Sequence, residues 1–409
     1  MMFKTALALL SLSVGLFFVN RVPPTVRAAE EAPGSTSNLI SPKEGALGTL
    51  LLFDGKTTYG WESVGEAKWE VADGEIRTSG DKPGFLVTTS EFADFQLSVD
   101  FKAAAGTNSG VFIRSAREPK DAAKDCYEIN IAAPGVSEYT TGSIVARQKP
   151  NGAADDAVLK STDWVNMLIT AEGNQITIEV GGNKVTSFRD DSPNALRRGR
   201  IALQANKGAV AFRNVKLRPH GQQKMKLDKD LSGWKVFPGK MAEYSVTDKG
   251  ELQVKNGPGM LEYTAQEYGD FVLSFEVMTK APNLNSGVFF RQIPGEFTQG
   301  YECQVHNGTK DGDPAQPLDC GTGGFYRRSN ARFVNGQDLH WTRITLMVHG
   351  PHMAAWVNGV QVSDWTDERK PDDNPRKGLR TKPGTLSIQG HDPTTDILFQ
   401  DFQIVELPK

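Results

Sequence analysis

The stretch NSGVFIR at residues 108–114 decides the architecture of this 409-residue chain, because it recurs as NSGVFFR at residues 285–291. Further landmarks follow in the same order at nearly the same offset: DFQLS at 94–98 with DFVLS at 270–274, YE at 127–128 with YE at 301–302, and Trp164 with Trp341. Landmarks that repeat in order at a near-constant spacing are typical of duplicated structural units. The sequence therefore predicts two homologous domains, repeat 1 at residues 46–219 and repeat 2 at residues 226–409.

Both repeats show the residue alternation of β-strands. In FQLSVDF at 95–101 and in FVLSFEV at 271–277, every second residue is apolar. Such alternation packs one face of a strand against a core. The Asn-Gly pair at 358–359 is typical of a two-residue hairpin turn, and the 41 glycines favour many further turns. We therefore expect an all-β protein built from two-sheet sandwiches of short strands.

The first 28 residues are predicted to be an export signal. Lys4 precedes an apolar stretch of 14 residues at 6–19, and small residues flank a cleavage site after Ala28. Fourteen residues are shorter than the roughly 20 that span a bilayer, so no stable membrane anchor is expected, although an uncleaved short anchor stays open. Residues 29–45 are predicted to be a flexible leader. The mature protein is expected in the periplasm or outside the cell.

Charge and cysteine content exclude some classes of protein. The 46 basic and 49 acidic residues give a net charge of −3, whereas a nucleic-acid binder carries a strongly basic domain or stripe. A disulfide between Cys303 and Cys320 is left open, and Cys126 would then remain unpaired. No cysteines or histidines are spaced as in a structural zinc site.

Several motifs together resemble one family. They are LFDGK at 52–56, GW at 60–61, the repeated NSGVFxR motif and GYECQ at 300–304. This combination resembles the 3-keto-disaccharide hydrolase domain family, whose members are also described as 3-keto-glucoside lyases and 3-keto-2-hydroxy-glucal hydratases. The resemblance covers both repeats. It implies two tandem concanavalin A-like jelly-roll sandwiches, with a site for a small carbohydrate on the concave sheet.

Strand geometry separates core residues from groove residues in repeat 2. In YECQVH at 301–306, alternate side chains point to opposite faces, so Glu302, Gln304 and His306 share the polar face. In TLSIQGH at 385–391, the polar face carries Gln389 and His391. The same alternation puts Asn285 and Arg291 on one face of their strand. The predicted substrate-binding residues are Asn285, Gln304, His306, Tyr326 and Gln389.

Repeat 1 keeps the core pattern but loses the polar one. Its counterpart strand, YEINIA at 127–132, has Asn130 in place of Gln304 and Ala132 in place of His306. Asn206 takes the place of His391, and all six histidines of the chain lie outside repeat 1. Histidine is the usual group for proton transfer near neutral pH. Repeat 2 is therefore predicted to be the active copy, and repeat 1 to bind sugar or only to support its twin.

The family resemblance implies a specific reaction. A ketone at C3 of a sugar acidifies the C2 proton, so a base can remove it and the group on C1 can leave; water then adds across the double bond. We assign the acid and base roles to Glu302 and His391, and stabilisation of the enolate oxygen to Arg291. Arg291 could instead pair with Glu302 and fix the sheet.

Other functions stay open at this point. The sandwich fold also serves non-catalytic carbohydrate-binding proteins. An ordinary glycosidase would need a second carboxylate near Glu302, which the Glu-x-Gln strand does not supply. A divalent metal ion held by Glu302 and His391 is also left open. The acidic loop at 311–319 lacks the ligand order of an EF-hand, which favours a solvated loop over a calcium site.

Overall fold

A computed structural model describes residues 37–150 and 163–409, and their regular secondary structure is almost entirely β-strand. The predicted export signal at 1–28 lies outside the described residues and stays a prediction. The helical elements are α1 (Pro42–Ala46) and one 3₁₀ turn (Lys310–Gly312). No helix in the described part of the chain is long and apolar enough to cross a bilayer.

The strands fall into two sets that follow the sequence repeat. Repeat 1 contains β1 (Leu50–Leu51), β2 (Trp61–Gly65), β3 (Glu70–Ala72), β4 (Glu75–Thr78), β5 (Gly84–Thr88), β6 (Phe95–Ala103), β7 (Asn108–Ser115), β8 (Tyr127–Ala132), β9 (Val165–Glu172), β10 (Gln175–Val180), β11 (Asn183–Arg189), β12 (Arg200–Ala205) and β13 (Val210–Pro219). The connecting segment forms β14 (Gln223–Lys224). Repeat 2 contains β15 (Trp234–Val236), β16 (Glu243–Val246), β17 (Leu252–Lys255), β18 (Gly259–Tyr268), β19 (Phe271–Thr279), β20 (Ser286–Gln292), β21 (Tyr301–Val305), β22 (Thr342–His349), β23 (His352–Val357), β24 (Val360–Thr366), β25 (Gly384–Gly390) and β26 (Asp396–Glu406).

Each repeat is a sandwich of two mainly antiparallel sheets. In repeat 1 the sheet β2-β5-β12-β7-β8 and the strands β11-β10-β9-β6-β13 contribute side chains to one core. In repeat 2 the corresponding layers are β15-β18-β25-β20-β21 and β24-β23-β22-β19-β26-β17-β16. The predicted alternation holds in β6, where Phe95, Leu97 and Val99 are fully buried and the intervening residues are partly exposed. The prediction of two all-β tandem jelly-roll sandwiches is confirmed.

One continuous sheet joins the two sandwiches. Leu50 of β1 pairs with Leu217 of β13, and Leu51 pairs in parallel with Val360 of β24, so the outer layers merge into a 16-stranded sheet. Apolar residues of repeat 2 pack into the core of repeat 1, among them Val272, Met347, Ala354 and Trp356. The side chain of Arg198 in repeat 1 also lies 2.8 Å from the Asp270 carboxylate in repeat 2.

The described end of the predicted leader is held against repeat 1. Asn38 is 5% exposed and exchanges two hydrogen bonds with Asn214, of 2.6 and 2.8 Å. Ser41 and Glu44 form a reciprocal capping box at the start of α1, and Glu44 also lies 2.8 Å from the Lys216 amine. Residues 37–45 are thus fixed by contacts with residues distant in the sequence, which their own composition does not indicate.

All three cysteines are unpaired in the structure. Cys126 and Cys303 are fully buried, and Cys320 is partly exposed. The Cys303 thiol lies in the core of repeat 2, with Tyr301 and Val305 beside it in the cluster. The disulfide that the sequence left open is therefore not formed.

Candidate functional site

A polar cavity of about 530 Å³ lies on the β15-β18-β25-β20-β21 sheet of repeat 2. Its lining residues within strands belong to β21 and β25, and β20 lies between these two strands and pairs with both. Six of the eight predicted site residues line it: Asn285, Glu302, Gln304, Tyr326, Gln389 and His391. Strand alternation thus brings Glu302, Gln304 and Gln389 together, whereas Asn285, Tyr326 and His391 reach the cavity from outside the strands.

Glu302 is the buried carboxylate of this cavity. Its side chain is 5% exposed, and its Oε2 accepts a 2.9 Å hydrogen bond from Nη2 of Arg376. Burial raises the pKa of Glu302 above its ordinary value, and the positive charge of Arg376 partly opposes this rise. A carboxylate with a raised pKa is suited to exchange a proton near neutral pH.

The glycine of the NSG motif makes room for this carboxylate. Gly287 is paired with Gln304 across the ladder, and a Cβ atom at Gly287 would lie 2.7 Å from Oε1 of Glu302. In repeat 1, a Cβ atom at Gly110 would likewise crowd the Glu128 side chain, at 3.3 Å from its Cγ. The repeated glycine therefore permits close approach of the neighbouring glutamate.

Amide groups surround a second carboxylate, Asp319. Nε2 of Gln304 donates to Oδ1 of Asn285 and to Oδ2 of Asp319, both at 3.0 Å, and Asn285 also donates to Asp319. The carbonyl oxygens of Gln304 and Gln389 are buried without a hydrogen-bond partner among the described residues. Buried unpaired acceptors that face a cavity favour binding of hydroxyl groups.

His391 stands directly after β25 and is accessible. Its side chain is 41% exposed, and its Nδ1 lies 2.7 Å from the Asp392 carboxylate. That contact leaves Nε2 as the ring nitrogen for other partners. His391 also lies close enough to Glu302 to lower the pKa of that carboxyl.

The prediction that His306 binds substrate is not supported by its position. The side chain is 8% exposed, and its Nδ1 accepts a 3.2 Å hydrogen bond from the amide of Gly308. Burial lowers the pKa of this imidazole. His306 does not line the cavity, because the strand ends at Val305 and the ring packs under the loop that follows.

The assignment of Arg291 to the groove is wrong. Its guanidinium is fully buried and donates to the carbonyl oxygens of Gly269, Gly350 and Arg380 and to the Asp270 carboxylate, at 2.6 to 3.1 Å. It does not contact Glu302. Repeat 1 contains the same arrangement, with Arg114 bonded to Asp94 and to three carbonyl oxygens. A contact set present in both repeats indicates a structural role.

A β-bulge explains the misplaced arginine. Phe289 pairs with Ser387 and Gln292 pairs with Thr385, so three steps along β20 face two steps along β25. Arg291 has a φ of 44°, in the left-handed region. A bulge shifts the faces on which side chains lie. Gln292 consequently lies on the Ser387 side, to which it donates a 3.0 Å hydrogen bond, and Arg291 turns away from the cavity.

Arg376 is one of the cavity residues that strand alternation did not predict. The hydroxyl of Tyr301 donates to Asp367 and accepts from the Arg380 amide. In repeat 1, the hydroxyl of Tyr127 bonds in the same way to Asp190 and the Leu196 amide. The loop between these two hydrogen-bond partners is seven residues longer in repeat 2 (367–380) than in repeat 1 (190–196). The longer loop carries Arg376. Comparing loop lengths between the repeats would have indicated it.

Repeat 1 lacks the cation of this site. Glu128 occupies the position of Glu302, and burial raises its pKa to about 7. Among the described residues, Glu128 has no ion-pair partner, and Asn130 donates its amide to the carbonyl of Tyr139. The carboxylate is retained in repeat 1, but the arginine that accompanies it in repeat 2 has no counterpart in the shorter loop.

The residues of the cavity do not fit a metal ion. In the described ranges, no group of three or more His, Cys, Asp or Glu side chains is placed to hold one. Glu302, the central acidic ligand in the metal hypothesis, instead pairs with the Arg376 guanidinium. A fixed cation at that carboxylate opposes binding of a second cation.

Comparisons with known proteins match both repeats. The family model described as the 3-keto-alpha-glucoside-1,2-lyase-like domain matches residues 48–218 and again residues 225–405. A 3-keto-disaccharide hydrolase of Bacteroides thetaiotaomicron is 34% identical over 79 residues, which are 16% of this chain and 27% of that protein. The match therefore spans about a quarter of that relative.

Solved structures with a similar fold cover about one repeat each. A candidate glycosyl hydrolase from Parabacteroides distasonis is 24% identical, covers 45% of this chain and 100% of its own, and has a TM-score of 0.40. The carbohydrate-binding module CBM66 from Bacillus subtilis is 18% identical, covers 38% of this chain and 94% of its own, and has a TM-score of 0.29.

Proposed function

The chain belongs to the 3-keto-α-glucoside-1,2-lyase-like domain family, and from this premise we propose that repeat 2 cleaves the glycosidic bond of 3-keto glycosides. The observation that carries the proposal is the pair of Glu302 and Arg376 in the polar cavity, 2.9 Å apart. It combines a proton acceptor with a cation, and both are needed where a proton leaves a carbon beside a ketone.

The proposed reaction has two stages. In the first, the Glu302 carboxylate takes the proton from C2, and the electron pair forms an enolate whose oxygen is stabilised by Arg376. The C1–O bond then breaks as the C1–C2 double bond forms, and the leaving oxygen receives a proton from His391. In the second stage, a water molecule gives a proton to His391 and its hydroxyl to C1, and C2 regains a proton from Glu302, so both side chains return to their starting protonation states. The product is the free 3-keto sugar.

Other side chains of the cavity would orient the sugar. The buried acceptors of Gln304 and Gln389 can each receive a hydroxyl hydrogen. Asp319 and Asn285 form the wall next to Gln304. Positioning the sugar in this way brings C2 to Glu302 and contributes to rate by orientation.

The discriminating experiment compares 3-keto-trehalose with trehalose. We expect the purified protein to release 3-keto-glucose and glucose from the oxidised sugar and to leave trehalose intact, because only the ketone acidifies the C2 proton. Chromatography of the products over time measures both. A protein that binds 3-keto-trehalose without cleaving it would refute the proposed activity.

A second candidate function is supported by Asp319. It places a second carboxylate in the cavity that contains Glu302, as an ordinary glycosidase requires. The sequence had not supplied this partner. Cleavage of trehalose as fast as 3-keto-trehalose would favour the glycosidase and exclude the elimination.

The pH dependence of turnover tests the role of Arg376. On the acid side of the pH profile, kcat/KM falls as the catalytic base of the free enzyme becomes protonated. The midpoint of this fall, the acid limb, should lie above the ordinary pKa range of a carboxyl, because burial raises the pKa of Glu302. Replacing Arg376 with Met removes a charge that lowers this pKa, and the acid limb should move to higher pH. We also expect kcat to fall by about 10²-fold or more. An acid limb that stays in place would contradict the pairing.

A further inference from the structure

The cavity of repeat 2 is lined by two chemically different sets of residues. One set consists of the amides of Asn285 and Gln304 with Asp319. The other set, here called the arginine end, consists of Arg327, Arg328 and Arg376. Its members are joined, because Nη2 of Arg328 donates a 2.8 Å hydrogen bond to the carbonyl oxygen of Arg376.

The arginine end carries more positive charge than its ion pairs neutralise among the described residues. Arg376 is neutralised by Glu302. Within the described part of the chain, Arg328 donates only to the carbonyl oxygens of Arg327 and Arg376, and Arg327 lies 5.1 Å from the Tyr326 ring. Neither Arg327 nor Arg328 forms an ion pair with a carboxylate in residues 37–150 and 163–409. Burial lowers the pKa of Arg328, and the charges of Arg369 and Arg376 lower it further, while Asp367 partly opposes them.

The fold does not require an arginine at position 327. Phe325 forms a bridge to Ser329, and Ile144 of repeat 1 forms the equivalent bridge to Gln148. Within this turn, Arg327 has a φ of 56° and its counterpart Ala146 has a φ of 61°. Alanine therefore fits the same left-handed backbone position. The long cationic side chain at the mouth of the cavity is a feature of repeat 2 alone.

We propose that the substrate of repeat 2 carries an anionic group, a carboxylate, sulfate or phosphate, that binds at the arginine end. This inference rests on the proposed function, since it concerns the substrate of the same cavity. Arginine guanidinium groups bind such anions through charge-assisted hydrogen bonds. Arg327 is exposed and has its guanidinium free of carboxylates, so it is the principal contact. Arg328 contributes charge from the wall.

Paired substrates test the proposal and locate the anion. The 3-keto glucoside of 4-hydroxybenzoate carries the charge on the leaving group, and the amide of that compound is its neutral counterpart. Phenyl 3-keto-glucuronide carries the charge on the sugar ring, and phenyl 3-keto-glucoside is its neutral counterpart. We expect kcat/KM to be about tenfold higher for the charged member of one pair. The preferred pair identifies where the anion is attached.

The matched variant is Arg327→Ala, which copies repeat 1. It should abolish the preference for the charged substrate while leaving turnover of the neutral one within about twofold. Arg189→Ala, which removes an exposed arginine from repeat 1, should leave the preference unchanged. Equal kcat/KM for charged and neutral members of both pairs, or a preference that persists in Arg327→Ala, would overturn the inference.

Binding measurements separate failure of this inference from failure of the proposed function. Calorimetric titration with the unoxidised glycosides needs no turnover. If no 3-keto glycoside is cleaved, tighter binding of a charged glycoside that is lost in Arg327→Ala would still support the arginine end as an anion site. Equal binding of all four glycosides by both proteins would refute it.

Discussion

Replacing Glu302 with glutamine is expected to lower kcat/KM for a 3-keto glycoside by about 10³-fold, with the fold retained. Glutamine preserves the shape of the side chain but cannot accept the C2 proton. The buried site also tolerates glutamine, because a neutral amide avoids the cost of burying a charge. This cost is what raises the pKa of Glu302. Initial rates with 3-keto-trehalose, together with a circular dichroism melt, measure both effects.

The control for this variant is already present in the chain. Glu128 has the same strand position and is similarly buried, but it lacks the arginine partner. Glu128→Gln should leave turnover within about twofold of the parent. If Glu128→Gln abolishes turnover and Glu302→Gln does not, the active copy has been assigned to the wrong repeat.

Replacing Arg291 with methionine is expected to destabilise the protein by about 3 kcal/mol and to leave the chemistry of the folded molecules unchanged. The buried guanidinium makes four hydrogen bonds, three of them to carbonyl oxygens. Methionine leaves those oxygens and the Asp270 carboxylate without this donor. Denaturant unfolding of the variant and of the unmodified chain in parallel measures the difference in unfolding free energy.

The activity of the folded fraction distinguishes a structural from a catalytic arginine. At a temperature where Arg291→Met is still folded, kcat/KM per folded molecule should match the parent within about threefold. Arg189→Met, an exposed substitution, should change the unfolding free energy by less than about 0.5 kcal/mol. A stable Arg291→Met protein without turnover would restore Arg291 to the reaction.

Strand alternation correctly predicted the orientation of site residues in strands whose pairing is not interrupted by a bulge. Glu302 and Gln304 face the cavity, and Tyr301 and Cys303 face the core, because β20 and β21 pair without interruption from Ser286 to Phe290. The same rule failed for Arg291, one residue into the bulge, because two-residue periodicity no longer holds there.

Loop residues of the site could not be predicted in this way. Arg376 and Asp319 reach the cavity from segments that the strand period does not describe. Their placement depends on distant contacts, such as the 2.9 Å hydrogen bond from Nε of Arg376 to the carbonyl of Thr298. The sequence contains one usable signal for Arg376, the extra seven residues of its loop relative to repeat 1.

The junction between the sandwiches bears on how the duplication has persisted. Met347 and Trp356 of repeat 2 are almost fully buried in the cluster that forms the core of repeat 1. A copy of repeat 2 released from its twin would expose these apolar side chains and the open edge of β24, which is a template for aggregation. A deletion that removes repeat 1 would therefore cost repeat 2 its solubility. The duplication is in this sense irreversible, because repeat 1 covers apolar side chains of repeat 2 whether or not it binds or cleaves a substrate itself.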